Sequence, residues 1–356
     1  MSSRRKPPIM ADIARLAGVS SMTVSRAFKA DSLVSQETRN AILAAAEELG
    51  YVFDATASSL RSQKTDFVAV LIPSINNANF ADTVSGLSEV IEYANMQTLL
   101  GYTNYDMHTE ERLIEQLLRR KPQAIVVTGG RHTARARKLL ENAHIPVIET
   151  WDVPEHPVGY YVGFSNAAAV HIMVDHFVAT GYRRIAFIGG DAGGDTRGSD
   201  RRLGFLQAIT AHGLDASRLV AAGPPPISMR EGAEAMSRLL DSYPDTEAVI
   251  CVSDLSAFGA LTECQRQGIA VPEKMAIGGF GNYEISGICV PSLTTIDVGS
   301  RAIGEKAGTL ILNLLNRPSE AADATIEPEL IVRESSIRII EFLVDRIPPL
   351  PAGLSP

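Results

Sequence analysis

The arrangement of apolar and polar residues divides the chain into two parts. In residues 9–50, apolar side chains recur at a spacing of three or four in three short groups, and this period predicts three amphipathic helices. Gly18 interrupts the first group and predicts a tight turn before the second. Ser20 and Ser35 stand where a side-chain oxygen would cap the following helices. These second and third helices are expected over about 21–29 and 36–49.

From residue 66 onwards, continuous apolar runs of strand length alternate with helical segments. Strands are expected at 67–73, 98–102, 124–128, 146–150, 184–188, 248–252 and 275–280. Helices are expected near 79–95, 108–120, 132–143, 165–180, 199–213, 229–242 and 255–268. Wholly apolar strands that alternate with helices are typical of parallel sheets covered on both faces. Because about 270 residues are too many for one such sheet, the pattern predicts an α/β fold with two doubly wound subdomains.

The charge is distributed unevenly over the same two parts. The 356 residues carry a formal net charge of −8. Residues 1–64 hold nine basic and six acidic side chains, a net +3, whereas the remainder holds 24 and 35, a net −11. A small basic head on an acidic body favours a module that binds a polyanion, joined to a part with a different task.

Composition and motifs exclude several classes of protein. Three scattered cysteines are too few for a disulfide framework or a CxxC zinc site. Apolar runs long enough for a membrane span or a secretory signal are missing, so a cytoplasmic location without membrane contact is expected. The sequence has no GxxxxGK[ST] loop, no GxGxxG after a strand, no HExxH and no GxSxG. We therefore expect neither enzyme activity nor a metal site or cofactor.

A helix, a glycine turn, a second helix and a third helix together match the plan of a helix-turn-helix module. In such modules the N-terminal side chains of the second helix contact base edges in the major groove of double-stranded DNA. The candidates here are Ser21, Met22, Ser25 and Arg26, and Arg26 is suited to a bidentate contact with guanine. The side chains expected to contact phosphates are those of Ser20, Thr23, Ser35, Thr38 and Arg39.

The residues of this region resemble the headpiece of the lactose-repressor (LacI) family of bacterial transcription regulators. The matching segments are Asp12-Ile-Ala-Arg-Leu-Ala-Gly-Val-Ser20, Thr23-Val-Ser-Arg26, Val34-Ser35, Thr38-Arg39 and Glu48-Leu-Gly-Tyr51. The resemblance implies a homodimer whose two headpieces read the half-sites of a near-palindromic operator. It also implies a hinge helix and linker over residues 54–65, with Ala57 and Leu60 at the minor groove. Phe53, Asp54 and Ala55 depart from the family's usual residues there.

The resemblance extends over about residues 8–340 and implies a body similar to periplasmic sugar-binding proteins. Such a body has two Rossmann-like subdomains and binds an effector in the cleft between them. The implied division is a headpiece over 1–53, a hinge over 54–65, a core over 66–340 and a proline-rich tail over 341–356. Within the core, the N-subdomain covers about 66–163 and 293–325, and the C-subdomain about 164–292 and 326–340.

The family's effector contacts can be carried over to positions in this chain. Arg202 is expected to hold a sugar hydroxyl or a carboxylate, and Phe80 is expected to form an aromatic wall. Gly281 stands where many members have an aspartate that holds two sugar hydroxyls. The full set expected in the cleft is Asn79, Phe80, Arg131, Glu149, Trp151, Arg202, Phe205, Ser253, Asp254, Gly281 and Asn282.

Two observations favour an acidic effector. The loss of a carboxylate at Gly281 removes repulsion against an anion, and Arg202 offers a charged donor. Thr103-Asn104 and Gly129-Gly-Arg131-His132-Thr133 also resemble gluconate-operon repressors. We therefore expect gluconate, a ketogluconate or a phosphorylated form, with a neutral sugar as the alternative.

The function predicted from the sequence is a repressor of carbohydrate or sugar-acid genes whose operator binding is controlled allosterically by that effector. A periplasmic-type solute-binding protein and a sugar-modifying enzyme with the same fold are the alternatives. Neither alternative explains the basic head. An enzyme would also need a base, a nucleophile or a phosphate loop in the cleft, and the sequence shows none. The tail has no leucine heptads, so a tetramer built on a C-terminal coiled coil is not expected.

Overall fold

The computed structural model describes residues 6–28, 33–52, 65–191 and 194–337. The chain divides into two compact units, residues 1–64 and residues 65–356. The predicted hinge contacts at Ala57 and Leu60 lie outside the described residues, as does the tail over 341–356.

The first unit contains three helices, as predicted. They are α1 (Met10–Leu16), α2 (Ser21–Ala27) and α3 (Gln36–Leu49). The hydroxyl of Ser20 accepts a hydrogen bond from the backbone N–H of Thr23, and that of Ser35 accepts one from Thr38, so both serines cap their helices. The three helices enclose a small apolar core that contains Ile13, Val24 and Ile42.

The second unit contains two parallel sheets and a short antiparallel pair of strands. The first sheet has the strand order β11-β5-β4-β3-β1-β2, the second has the order β7-β6-β8-β9, and β10 pairs with β12. The strands are β1 (Phe67–Ile72), β2 (Gln97–Tyr102), β3 (Ala124–Thr128), β4 (Val147–Thr150), β5 (Tyr160–Gly163), β6 (Ile185–Ile188), β7 (Leu219–Val220), β8 (Ala248–Cys251), β9 (Ala276–Gly278), β10 (Thr295–Asp297), β11 (Ala324–Thr325) and β12 (Glu329–Ile331). The two parallel sheets agree with the predicted pair of doubly wound layers.

Helices connect these strands, and each predicted helix of the second unit is present. They are α4 (Ala78–Glu92), α5 (Met107–Leu118), α6 (Ala134–Glu141), α7 (Asn166–Ala179), α8 (Thr196–Ala211), α9 (Met229–Ser242), α10 (Asp254–Arg266), α11 (Glu284–Ile288) and α12 (Ser300–Asn316). Short 3₁₀ turns cover Pro318–Glu320 and Glu334–Ser336. None of the helices among the described residues is long and apolar enough to cross a membrane.

The sequence pattern did not reveal the long helix α12 or the short strands β5, β7, β10, β11 and β12. These strands have only two to four residues, too few for a clear apolar run. In α12, Gly304 and Gly308 replace residues that would otherwise extend the apolar stripe, and glycine is a poor helix former.

These glycines are required by the packing of α12 against α4. A Cβ atom at Gly304 would lie 1.9 Å from the carbonyl oxygen of Thr83, and one at Gly86 would lie 2.5 Å from the carbonyl oxygen of Arg301. The hydroxyl of Thr83 donates a hydrogen bond to the carbonyl oxygen of Ser300 at 2.8 Å. The two helices therefore meet backbone to backbone.

We predict that Gly304→Ala destabilises the second unit. Because the methyl group would meet the backbone rather than a flexible side chain, we expect the free energy of unfolding to fall by about 1–3 kcal/mol. Gly287→Ala is the matched control, since the nearest atom to its added Cβ lies 3.9 Å away. Urea unfolding followed by circular dichroism measures both, and an unchanged midpoint for Gly304→Ala would contradict the close packing.

Candidate functional site

A cavity of about 210 Å³ lies where the carboxyl ends of the strands of both parallel sheets meet. Residues that follow β1, β2 and β4 supply Ser74, Tyr105 and Trp151. Residues that follow β8 and β9 supply Ser253 and Phe280. In open α/β folds ligands bind at this edge, because loops from several strands converge there.

One side of the cavity is aromatic. The rings of Phe80 and Trp151 meet edge to face with their centroids 5.0 Å apart, and Trp151 also contacts Phe164. The indole N–H of Trp151 donates to the hydroxyl of Thr83 at 3.2 Å. The backbone of Trp151 has a φ of 69°, in the left-handed region that bulky residues rarely adopt. The carbonyl oxygen of Trp151 accepts a hydrogen bond from Asn166 at 2.9 Å, which helps to hold this conformation.

Two arginines supply the positive charge of the cavity. Arg197 and Arg201 are four residues apart on α8 and therefore lie on the same face of the helix. Arg197 is buried and donates to the carbonyl oxygen of Thr128 at 3.2 Å. The guanidinium of Arg201 lies 4.4 Å from the ring centre of Phe280, in cation–π geometry. The Nε of Arg201 is buried without a hydrogen-bond partner among the described residues, and burial lowers the pKa of this guanidinium.

Asp195 carries the single carboxylate among the side chains that line the cavity in the described part of the chain. It is 7% exposed, and its Oδ1 atom is buried without a hydrogen-bond partner. Within residues 194–337 neither Arg197 nor Arg201 comes within ion-pair distance of it. The charged lining is therefore two guanidinium groups and one carboxylate.

Four of the predicted effector contacts line this cavity. They are Asn79, Phe80, Trp151 and Ser253. The lining also includes Arg197, Arg201 and Asp195, which were not among the predicted contacts.

Arg202 is not brought to the cavity. Its guanidinium donates to the carbonyl oxygen of Gly189 at 2.9 Å, and the neighbouring Arg201 faces the cavity instead. One residue along a helix turns the side chain by about 100°. Arg197 and Arg201 are four residues apart in the sequence, and this spacing could have identified the face of α8 that lines the cavity. Phe205 is also absent from the lining, because it is fully buried and packs against Phe187.

Asp254 and Asn282 lie outside the cavity lining because their polar groups are engaged elsewhere. The carboxylate of Asp254 is buried and accepts hydrogen bonds from the N–H of Tyr283 at 2.7 Å and the hydroxyl of Thr295 at 2.6 Å. Burial raises the pKa of Asp254 to about 6. Asn282 donates to Asp297, and with Gly281 it lines a separate surface depression.

Glu149 is also outside the cavity lining, because its carboxylate forms hydrogen bonds within the fold. It is fully buried, accepts a hydrogen bond from the N–H of Val158 at 2.7 Å, and lies 3.3 Å from Nε2 of His132. The other ring nitrogen of His132 lies 2.6 Å from Glu110. Burial opposes the charged imidazolium, but hydrogen bonds with Glu110 and Glu149 outweigh it and raise the pKa of His132 to about 9.

Arg131 joins the two sides of the cleft instead of lining the cavity. One terminal nitrogen of its guanidinium donates to both carboxylate oxygens of Asp200 on α8, at 2.6 and 2.7 Å, and forms an ion pair. The hydroxyl of Tyr283 donates to Asn77 at 2.8 Å, a second contact between the two sides. The hydrogen bond from Arg197 to Thr128 is a third. These contacts hold the edges of the two sheets together around the cavity.

The second helix of the first unit presents a polar face. Val24 and Ala27 are buried in the headpiece core, whereas Ser21, Met22 and Arg26 are exposed, Met22 by 65%. These exposed residues are the ones predicted to reach base edges. Ser20, Ser35 and Thr38 are exposed or half-buried at the starts of α2 and α3, and Thr23 and Ser25 are half-buried on α2. This geometry fits entry of α2 into a major groove.

Comparisons with known proteins agree with both units. The family model of bacterial regulatory proteins of the lacI family matches residues 9–54, and the periplasmic binding protein-like domain matches residues 174–336. A helix-turn-helix module joined to a periplasmic-binding-protein-like core defines the class of the protein as a DNA-binding transcription regulator.

Three relatives specify the family. The HTH-type transcriptional regulator GntR of Pseudomonas aeruginosa is 34% identical over 331 residues, which is 92% of this chain and 96% of that protein. The regulator IdnR of Escherichia coli K12 is 34% identical over 304 residues, 85% of this chain and 90% of that protein. The crystal structure of a LacI-family regulator from Silicibacter pomeroyi has a TM-score of 0.87 at 32% identity, over 93% of this chain and all of that one.

The chain therefore belongs to the LacI family of transcriptional regulators. Members of this family are DNA-binding proteins and not enzymes, so the alternatives of a solute-binding protein and a sugar-modifying enzyme are set aside.

The buried His132 predicts a pH dependence of stability. The folded-state pKa of about 9 lies above the ordinary value of 6.5, so the stabilisation is complete below pH 6.5 and is lost as the pH rises through 9. We expect the wild type to lose on the order of 3 kcal/mol between pH 6.5 and 9.5 relative to His132→Gln. Denaturant unfolding across this range, with the exposed His156→Gln as control, measures the difference. Parallel pH profiles of the wild type and His132→Gln would refute the raised pKa.

Proposed function

We propose that the chain is a cytoplasmic, homodimeric repressor that binds a near-palindromic operator in double-stranded DNA. A sugar acid such as gluconate would change its affinity for this operator. The effector would bind in the cavity between the two parallel sheets. The observation that carries the effector class is the pair Arg197 and Arg201, balanced by Asp195 alone.

The charge of the cavity supports an anionic effector. A charged group removed from water is costly unless it is paired, and the Nε of Arg201 has no partner among the described residues. A carboxylate accepts charge-assisted hydrogen bonds from guanidinium groups, which are roughly twice as strong as neutral ones. The lining carries two guanidinium groups and one carboxylate, so one positive charge is in excess. An acid would supply the missing counter-charge, whereas a neutral sugar would leave that excess charge uncompensated.

The size and the remaining lining support a small polyhydroxy ligand. A cavity of about 210 Å³ is below the range of roughly 300–1,000 Å³ typical of drug-sized ligands, so a single sugar-sized molecule fits better than an oligosaccharide. The amides of Asn76, Asn77 and Asn79 offer both donors and acceptors for hydroxyl groups. The aromatic wall of Phe80 and Trp151 suits the apolar face of a carbon chain.

The proposed regulation is a coupling between cavity and headpiece. A ligand that favours one separation of the two sheets shifts the equilibrium between two conformations of the core and thereby changes the operator affinity. By linkage, operator DNA changes the affinity for the ligand by the same factor. The three contacts across the cleft, from Arg131, Arg197 and Tyr283, are those that such a movement would alter.

We propose a domain division to match this mechanism. The headpiece covers 1–53 and the hinge 54–65, with Ala57 and Leu60 at the minor groove. The core covers 66–340, with an N-subdomain of about 66–163 and 293–325 and a C-subdomain of about 164–292 and 326–340.

Arg26→Ala tests the DNA-reading helix. A bidentate contact with guanine discriminates by about 1–3 kcal/mol, so specific operator affinity should fall by about 5- to 150-fold while weak, salt-sensitive binding remains. Fluorescence anisotropy at fixed salt, on labelled duplex DNA from upstream of the gene, measures the change. Arg15→Ala removes the same charge from α1 as a control. Unchanged specific affinity in Arg26→Ala would contradict the assignment of α2.

A comparison of two neighbouring arginines tests the effector site. Trp151 is the single tryptophan of the chain and lies in the cavity wall, so its fluorescence reports binding without a label. We expect D-gluconate to bind the wild type more tightly than sorbitol, the neutral polyol with the same carbon chain. Arg201→Gln should weaken gluconate binding at least tenfold, because a charge-assisted hydrogen bond is worth about 1.5–3 kcal/mol. Arg202→Gln should retain it.

Equal affinity for gluconate and sorbitol would overturn the acidic effector. A larger loss in Arg202→Gln than in Arg201→Gln would overturn the site and favour the arginine first expected from the sequence. Operator binding with and without gluconate, measured by anisotropy, then gives the sign of the regulation.

A further inference from the structure

Asp195 is an unusual residue at the start of a helix. Six other polar residues that precede helices of the second unit accept a hydrogen bond from a backbone N–H of the first turn: Asn77, Asp106, Thr133, Ser165, Ser228 and Ser253. Asp195 precedes α8, yet its side chain makes no such bond. Its carboxylate lines the cavity instead, and the buried Oδ1 has no partner among the described residues.

A buried carboxylate oxygen without a partner is rare in folded proteins, and it is costly. An ionised carboxylate can only accept hydrogen bonds, so the partner that completes it must be a donor. An ammonium group is excluded as that donor by the neighbouring charges of Arg197 and Arg201. A neutral donor such as a hydroxyl group meets no such repulsion.

We propose that Asp195 accepts a hydrogen bond from a hydroxyl group of the effector, while Arg197 and Arg201 hold its carboxylate. This inference rests on the sugar-acid effector proposed above and specifies it further. The ligand class is a polyhydroxy monocarboxylic acid. An acid without hydroxyl groups leaves Asp195 unpaired, and a second anionic group on the ligand is repelled by it.

The direction in which Asp195→Asn changes the affinity for gluconate distinguishes two roles for Asp195. If its negative charge only opposes an anionic ligand, Asp195→Asn removes repulsion and gluconate binds more tightly. If Asp195 accepts a hydroxyl hydrogen bond, the same change weakens gluconate binding, because a charged acceptor is replaced by a neutral one. Asparagine is as good as aspartate at the residue preceding a helix, so the helix start is preserved.

The experiment measures the Trp151 fluorescence of the full-length protein titrated with D-gluconate and with hexanoate, an acid of equal chain length without hydroxyl groups. We expect Asp195→Asn to lose about 10- to 100-fold in gluconate affinity, as for a hydrogen bond to a charged group. Hexanoate, wherever its binding is measurable, should bind Asp195→Asn as tightly as the wild type or more tightly. Asp241→Asn, which removes an exposed carboxylate from α9, is the matched control and should not change gluconate binding.

Two further measurements make the result decisive. The thermal midpoint and the ligand-free operator affinity of Asp195→Asn should be no lower than those of the wild type, because the proposed contact exists only with ligand bound. Unchanged or tighter gluconate binding overturns the role of Asp195, and so does a loss that is accompanied by a fall in midpoint or in ligand-free operator affinity.

Failure of the effector class gives a different pattern. If the wild type prefers sorbitol to gluconate, the acid assignment fails, and a loss of sorbitol affinity in Asp195→Asn still supports the hydroxyl contact. If the wild type binds neither probe, both proposals fail.

Discussion

The cavity depends on a property of parallel sheets, which bring the residues after every strand to one edge. Trp151 follows β4, Ser253 follows β8 and Phe280 lies just beyond β9, so residues far apart in the chain become neighbours. The two sheets face each other at these edges, and helices cover their other surfaces. The loops carry the chemistry of the site, and the strands fix its geometry. This is why a change in a loop side chain can alter the ligand without altering the fold.

The charged side chains that line the cavity are paired less completely than two charged clusters elsewhere in the second unit. Arg131 is paired with Asp200, and His132 lies between Glu110 and Glu149. Among the described residues that line the cavity, the two guanidinium groups and Asp195 lack such ion-pair partners. Incomplete pairing of buried charges is costly to the free protein, and a ligand of complementary charge would relieve that cost. Charged side chains that join parts of the fold are thus paired with each other, whereas those of the described residues that line the cavity are not.

The sequence predicts the architecture more fully than the site. Long apolar strands and amphipathic helices are recognisable one at a time, whereas strands of two to four residues such as β7 depend on neighbours distant in the chain. Trp151 and Ser253, which were selected at positions directly after predicted strands, lie in the cavity lining. Side-chain direction was not predictable in the same way. Arg202 was expected in the cleft, but the neighbouring Arg201 lines the cavity. Asp254 forms hydrogen bonds with Tyr283 and Thr295, which only the folded chain brings near.

The left-handed backbone at Trp151 has a consequence for anyone who wishes to engineer the protein. A residue with a Cβ atom in this conformation costs roughly 1–2 kcal/mol compared with glycine. Glycine at position 151 would relieve that cost but would remove the ring, its contact with Phe80 and the hydrogen bond to Thr83. A search for stabilising substitutions that considers the backbone alone would therefore favour a change that removes the aromatic side of the cavity. At this residue, local conformational stability competes with the integrity of the cavity wall.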